Sequence, residues 1–175
     1  MKKLFYATII TLVIAGCSQP NQKETAISNN GKGDDMKALY EANLATFKTN
    51  IAAFEKEDLN AWSATIADNA VWHSPAYGDT ITTKAHWVQS IKNIMDSNSN
   101  LHLTYAQFLP GVDTTTQQPD GSMRYYGTWH ATAASGKELT IKFYGTYDFN
   151  KDHKVTSGNE FYDVGGAMNA AKPNK

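Results

Sequence analysis

"GKELTIKFYGTYDFNKDHKV", residues 136–155, decides the fold class. Leu139, Ile141, Phe143 and Tyr147 fall on one parity; Thr140, Lys142 and Asp148 fall on the other. A period of two in aromatic and β-branched residues is a strand with one face in a core and the other in water. Ser135–Gly136 before it and the polar Lys151–His153 after it read as turns, so antiparallel strands flank it on both sides. The upstream strand is "MRYYGTWHATA" (123–133), entered through the turn "PDGS" (119–122). Before that comes "LHLTYAQFL" (101–109), stopped by Pro110–Gly111. The downstream strand starts near Val155 and ends near Asp163.

Toward the N-terminus the period changes. Tyr40, Leu44, Phe47, Ile51 and Phe54 are spaced by fours and threes, the single buried stripe of an amphipathic helix. Asp58 is placed to cap a shorter helix carrying Leu59, Trp62 and Ile66. An extended piece, "AVWHSP" (70–75), follows and is broken by Pro75 and Gly78; a third helix runs from about Lys84 to Asp96 and buries Trp87 and Ile91. Helices followed by an antiparallel meander predict an α+β domain with three N-terminal helices on one sheet face.

The 175 residues, 41% of them hydrophobic, suffice for one domain with its own core. A net charge of −1 offers no basic stripe to replace the counterions of a nucleic acid, so no nucleic-acid partner is expected. Neither a Gly-rich phosphate loop nor a nucleophile elbow is present. "DFNKDHKVTSGNE" (148–160) imitates a calcium loop through Asp148, Asn150 and Asp152. His153 stands where the sharp turn needs Gly, and Glu160 falls one place beyond the bidentate position, so a polar hairpin turn is the better reading. The five histidines lack zinc spacing with a carboxylate or thiol, and the expectation is no metal and no cofactor.

The first seventeen residues read as an address. Lys2 and Lys3 precede an apolar run, Leu4 to Ile14, too short to span a bilayer. "IAGC" (14–17) resembles a bacterial lipobox, with Ile14 where Leu is usual; it implies cleavage before Cys17 and lipidation of that thiol. Cys17 is also the sole cysteine, which excludes a disulfide within the chain. The expectation is a signal peptide over 1–17 and a membrane-anchored, non-spanning protein. Ser18 is not the Asp that can retain lipoproteins at an inner membrane, so the outer membrane is favoured within a bacterial cell envelope. Residues 18–35 are polar and read as a flexible tether, followed by one domain over 36–170 and a tail over 171–175.

Three stretches carry a resemblance over roughly 36–170: "VWHSPAYGD", the opening strand–turn–strand stretch, and "NEFYDVGGAMN". Their joint order resembles the NTF2-like superfamily, which includes SnoaL-like cyclases, ketosteroid isomerases and limonene epoxide hydrolases. The resemblance implies a cone: a strongly curved antiparallel sheet wrapped around the first helix, with a cavity at the open end. Laid over this chain, the epoxide-hydrolase pattern puts a water-holding polar residue at His73 and a catalytic carboxylate at Glu160. Its Arg–Asp pair falls on Tyr126 and Thr128, so that pair is missing. One carboxylate cannot be both acid and base in a single step, and epoxide hydrolysis of that type is rejected. Ser74 precedes Pro75 where the isomerase needs a carboxylate base, so that activity is rejected too.

The overlay leaves a cavity with polar lining at His73, Tyr126, Thr128, His130 and Glu160. Trp87, Ile141, Phe143 and Tyr162 supply apolar wall. Two orientations stay open. His130 alternates with Trp129, and hydrophobicity favours Trp129 where the overlay favours His130. Glu160 has the opposite parity to Val155 and Phe161, so it faces the cavity only if a bulge resets the alternation. The functional expectation is a small, largely apolar ligand, with cofactor-free proton transfer using His73 as base and Glu160 as acid. The rival is a non-enzymatic interaction module, a homodimer joined through an outer sheet face carrying Tyr125 or Tyr144.

Overall fold

The computed structural model describes residues 30–78 and 81–173. The signal, Cys17 and most of the expected tether lie outside them. Helix α1 (Asn30–Glu55) is followed by α2 (Leu59–Ala64), β1 (Ile66–His73), β2 (Ile81–Thr83) and α3 (Lys84–Ser97). Then come β3 (Asn98–Val112), β4 (Pro119–Ala133), β5 (Glu138–Phe149), β6 (Val155–Phe161) and α4 (Val164–Ala170). Two helices thus precede the sheet; the third follows the β1–β2 hairpin, and a fourth ends the domain. Because α1 begins at Asn30, the expected tether boundary at 35 lies inside a helix. Once the Tyr40–Phe54 stripe is packed, adding an exposed turn costs little, since propagation follows a nucleus already formed.

One sheet has the order β2-β1-β6-β5-β4-β3. Every neighbouring pair is antiparallel except β1 and β6, which run parallel. Pro110 lies inside β3, whose edge position spares it the second ladder that a proline would break. Helix α1 lies on β4 and β3, and α3 lies on β1.

The apolar stripe of α1 puts Phe47 and Ile51 in the core. Two polar residues on that same side are buried and paired. Asn50 Nδ2 donates to Thr65 Oγ1 at 2.7 Å. Asn43 Nδ2 donates to the Gly121 carbonyl at 2.8 Å, and its Oδ1 lies 2.7 Å from His153 Nδ1. One amide therefore ties the helix to the start of β4 and to the β5–β6 turn, and leaves neither end of that amide orphaned. Asp58 caps α2 as expected, accepting from the Ala61 N–H at 2.9 Å; Ile66 belongs to β1, not to that helix. The polar turn after β5 is a hairpin in which Asn150 Oδ1 accepts from the N–H groups of Asp152 and Lys154.

The sheet face under α1 is set by parity. In β5 it is Leu139, Ile141, Phe143 and Tyr147, as the alternation implied. In β4 it is Met123, Tyr125, Trp129, Ala131 and Ala133. In β6 the parity changes along the strand. Phe149 pairs with Val155 and Asp148 with Ser157, so Thr156 is an extra residue. That bulge puts Val155 before it, and Gly158 and Glu160 after it, on the inner face.

Candidate functional site

The inner sheet face, α1, α3 and α4 enclose a cavity of about 710 Å³. Its floor is a tryptophan cluster. Trp72 of β1 and Trp87 of α3 stack with ring centroids 5.9 Å apart and planes 1° from parallel. Trp62 of α2 meets Trp87 edge-on at 5.5 Å. Trp87 fits because residue 158 is glycine: a Cβ there would lie 2.5 Å from Trp87 Cη2. The side wall carries Phe143 and Tyr162, stacked at 5.8 Å. At the open end, Val164, Ala167 and Met168 of α4 form part of the lining. Ser135 Oγ donates to the Ala171 carbonyl at 2.6 Å and holds the end of that helix to the β4–β5 turn.

Glu160 is the only charged side chain among the lining residues described. Its position follows from the bulge at Thr156 and from a row of paired residues. Glu160 pairs with Gly145, and Gly145 pairs with Tyr125. Because Gly145 has no side chain, the Tyr147 ring lies back along its own strand, with Tyr147 Oη 2.8 Å from where a Cβ would sit. From there the hydroxyl donates to Glu160 Oε1 at 3.1 Å. Gly127 does the same for Tyr125, whose Oη would lie 2.2 Å from an added Cβ.

The surroundings favour the neutral acid. Glu160 keeps some accessible surface because its carboxyl borders the cavity, but protein otherwise encloses it. Desolvation pushes its pKa up to about 7, opposed in part by the N–H of Trp72 and the hydroxyl of Tyr147. The indole N–H of Trp72 faces the carboxylate without reaching hydrogen-bond geometry. Burial pushes Tyr162 up to about 12 and raises Tyr125 and Tyr147 further, so all three phenols are neutral at physiological pH. A single carboxyl balanced near pH 7 in an apolar chamber can give or take one proton.

Of the residues expected at the site, Glu160, Trp87, Ile141, Phe143 and Tyr162 line this cavity. His73, Tyr126, Thr128 and His130 do not. His73 follows the inward Trp72 and takes the opposite face, paired between Ile81 and Asn159. Tyr126, Thr128 and His130 are one residue out of phase with Tyr125 and Trp129, and a shift of one puts a whole set on the other side. His130 stacks on His102 outside the cavity, with Nε2 3.3 Å from Thr140 Oγ1. The base expected at His73 and the acid at Glu160 therefore lie on opposite faces of the sheet. Tyr125, expected on the outer face, is 2% exposed and lines the cavity.

Trp72, Tyr147 and Tyr125 are the site residues that the overlay missed. The inner parity of β5 reaches Tyr147 directly, and Trp129 on hydrophobicity would have selected Tyr125. Among the described residues no group of three or more His, Cys, Asp or Glu could hold a metal ion.

The SnoaL-like domain profile matches residues 47–158, ending two residues before Glu160. Solved structures with the same architecture cover most of the domain. A provisionally assigned polyketide cyclase from Xanthomonas campestris pv. campestris superposes with a TM-score of 0.63 at 12% identity, over 77% of this chain and 99% of that one. An NTF2-like protein of unknown function from Burkholderia pseudomallei gives 0.61 at 18% identity, over 75% and 98%. An LEH-like epoxide hydrolase from M. tuberculosis gives 0.53 at 11%, over 75% and 90%. At these identities the likeness shows the fold alone. No curated protein matches this chain in sequence.

Proposed function

This chain belongs to the SnoaL-like domain family, and on that premise we propose that its cavity holds a small, largely apolar ligand and that Glu160 exchanges a proton with it. One observation carries the reading: a carboxyl with its pKa near 7, hydrogen-bonded to Tyr147, borders about 710 Å³ of otherwise uncharged space. Concave, mostly apolar sites with few polar groups are where proteins hold small molecules. With His73 on the far face, no second carboxyl and no His, Lys or Arg among the described lining residues is available to share the work. Glu160 takes a proton from the ligand at one position and returns it at another, and no cofactor is needed. Cys17 supplies the lipid anchor, which keeps the domain at a bacterial membrane, the outer one by the residue at Ser18. No described helix is long and apolar enough to cross a membrane itself.

Native mass spectrometry of residues 18–175, compared with the denatured sample, tests this. The expected result is a releasable small molecule that gains deuterium when the protein is held in D2O, with the gain abolished in Glu160→Gln. Undiminished deuterium uptake in that variant removes Glu160 from the chemistry.

A second reading, a dimeric interaction module, is favoured by the outer sheet face. Tyr126, Tyr144 and Phe161 are paired residues on three adjacent strands, with ring centroids 4.7 and 5.7 Å apart. Tyr126 is 39% exposed and Phe161 56%. An exposed aromatic row of this kind fits a second copy of the chain.

A further inference from the structure

The cavity has a charge imbalance that its shape alone does not explain. It contains one carboxyl and, among the described lining residues, no Lys, Arg or His. Buried acids are ordinarily paired with a cation or coordinated to one. Glu160 has only the Tyr147 hydroxyl and the imperfectly placed Trp72 N–H. The rest of the lining is mainly aromatic and aliphatic, with Asn50, Ser90, Ser97, Asn98 and Ser135 as uncharged polar members. The polar atoms of Trp72, Trp87 and Tyr125 (both indole nitrogens and the phenol oxygen) have no accessible surface and no partner. What these three side chains show the cavity is therefore carbon. An anion would meet Glu160 with no cationic side chain among the described lining residues to neutralise it. An organic cation would find an aromatic enclosure and an uncompensated carboxylate, the two features that stabilise a desolvated ammonium.

We propose that the cavity is a site for an apolar molecule carrying one positive charge, a tertiary or quaternary amine, with Glu160 as its counter-ion and the Trp72, Trp87 and Tyr147 side chains around it. The inference rests on the cavity being a ligand site and does not depend on catalysis. It also fixes how binding responds to pH. Glu160 is faced by Tyr147 from β5, Tyr125 from β4, Tyr162 beyond β6 and Trp72 from β1, while α1 contributes only the more distant Glu55, through Tyr125. The phenols stay neutral below pH 9, so Glu160 alone titrates in this chamber. A cation binds its charged form and affinity rises with pH through 7; a neutral acceptor binds the protonated acid and weakens over the same range.

The test uses two probes of equal shape, (2-naphthylmethyl)trimethylammonium and 2-neopentylnaphthalene, which differ in a nitrogen for a carbon and in the charge. Their affinities for the protein are measured by calorimetry at pH 5.5 and pH 8. The expected result is that the cation binds about tenfold tighter or more at pH 8, the scale of a desolvated cation–π contact. The preference shrinks at pH 5.5 and disappears in Glu160→Gln, while the hydrocarbon is held equally by both proteins. At pH 6, binding of the cation should release protons, read from the heats in buffers of different ionisation enthalpy. Equal affinities for the two probes at pH 8, or proton uptake on binding, overturns the cation assignment and leaves the cavity as an apolar site. Failure of both probes to bind overturns the ligand-site reading along with it.

Discussion

Glu160 makes the protein's stability depend on pH in an unusual direction. Its pKa is about 7 in the folded chain against 4.5 for the free side chain. Below pH 4.5 both states hold the proton; between 4.5 and 7 the folded state keeps a proton that the unfolded state has released. Stability from this group is therefore fully present below 4.5, falls by about 3 kcal/mol as pH rises to 7, and stays level above. Glu160→Gln should flatten that slope and gain stability at pH 8, measured as the shift in urea midpoint with pH. Tyr147→Phe acts oppositely on the acid. Its hydroxyl stabilises the carboxylate, so removing it should move the Glu160 titration above 7, followed by carboxyl carbon NMR.

Strands and helices differed in how much of themselves the sequence disclosed. Helix α1 was legible because five apolar residues keep one stripe over four turns, and Asp58 marked α2 through a cap with a physical purpose. Alternation in β5 named its inner face outright. β6 could not be read this way, because the extra residue at Thr156 reverses its parity and nothing in "VTSGNEF" marks the bulge. β1 hid its phase for another reason: Val71, Trp72 and His73 are consecutive bulky residues, and only packing against Trp87 shows that Trp72 is the one turned inward. The β4 assignments failed through register alone, since Tyr125 and Tyr126 are equally good strand residues. At this scale Gly158 is the most sensitive position. Gly158→Ala drives a Cβ into Trp87, a rigid ring stacked on Trp72 and met edge-on by Trp62, and should cost about 1–3 kcal/mol in urea unfolding. Asp58→Ala, which removes the α2 cap, should cost about 1 kcal/mol by the same measurement.

For the whole molecule, the sheet divides two kinds of work. Its inner face holds the chamber, and its outer face shows the Tyr126–Tyr144–Phe161 row. If the row joins two copies, Tyr126→Ser combined with Phe161→Ser should convert a dimer into a monomer in sedimentation equilibrium without altering the chamber. A monomeric parent protein would remove the dimer reading. The placement of β6 has a further consequence, for the order in which the chain becomes a protein. The last strand lies between the first and the one before it, so the sheet is in two parts until residues 155–161 arrive. A chain emerging N-terminus first, from a ribosome or through a translocation pore, carries β1–β2 as an unattached hairpin with an open edge. Completion waits on the most distant pairing in the domain, which makes folding slow for its size and leaves the nascent chain dependent on protection until its end is free.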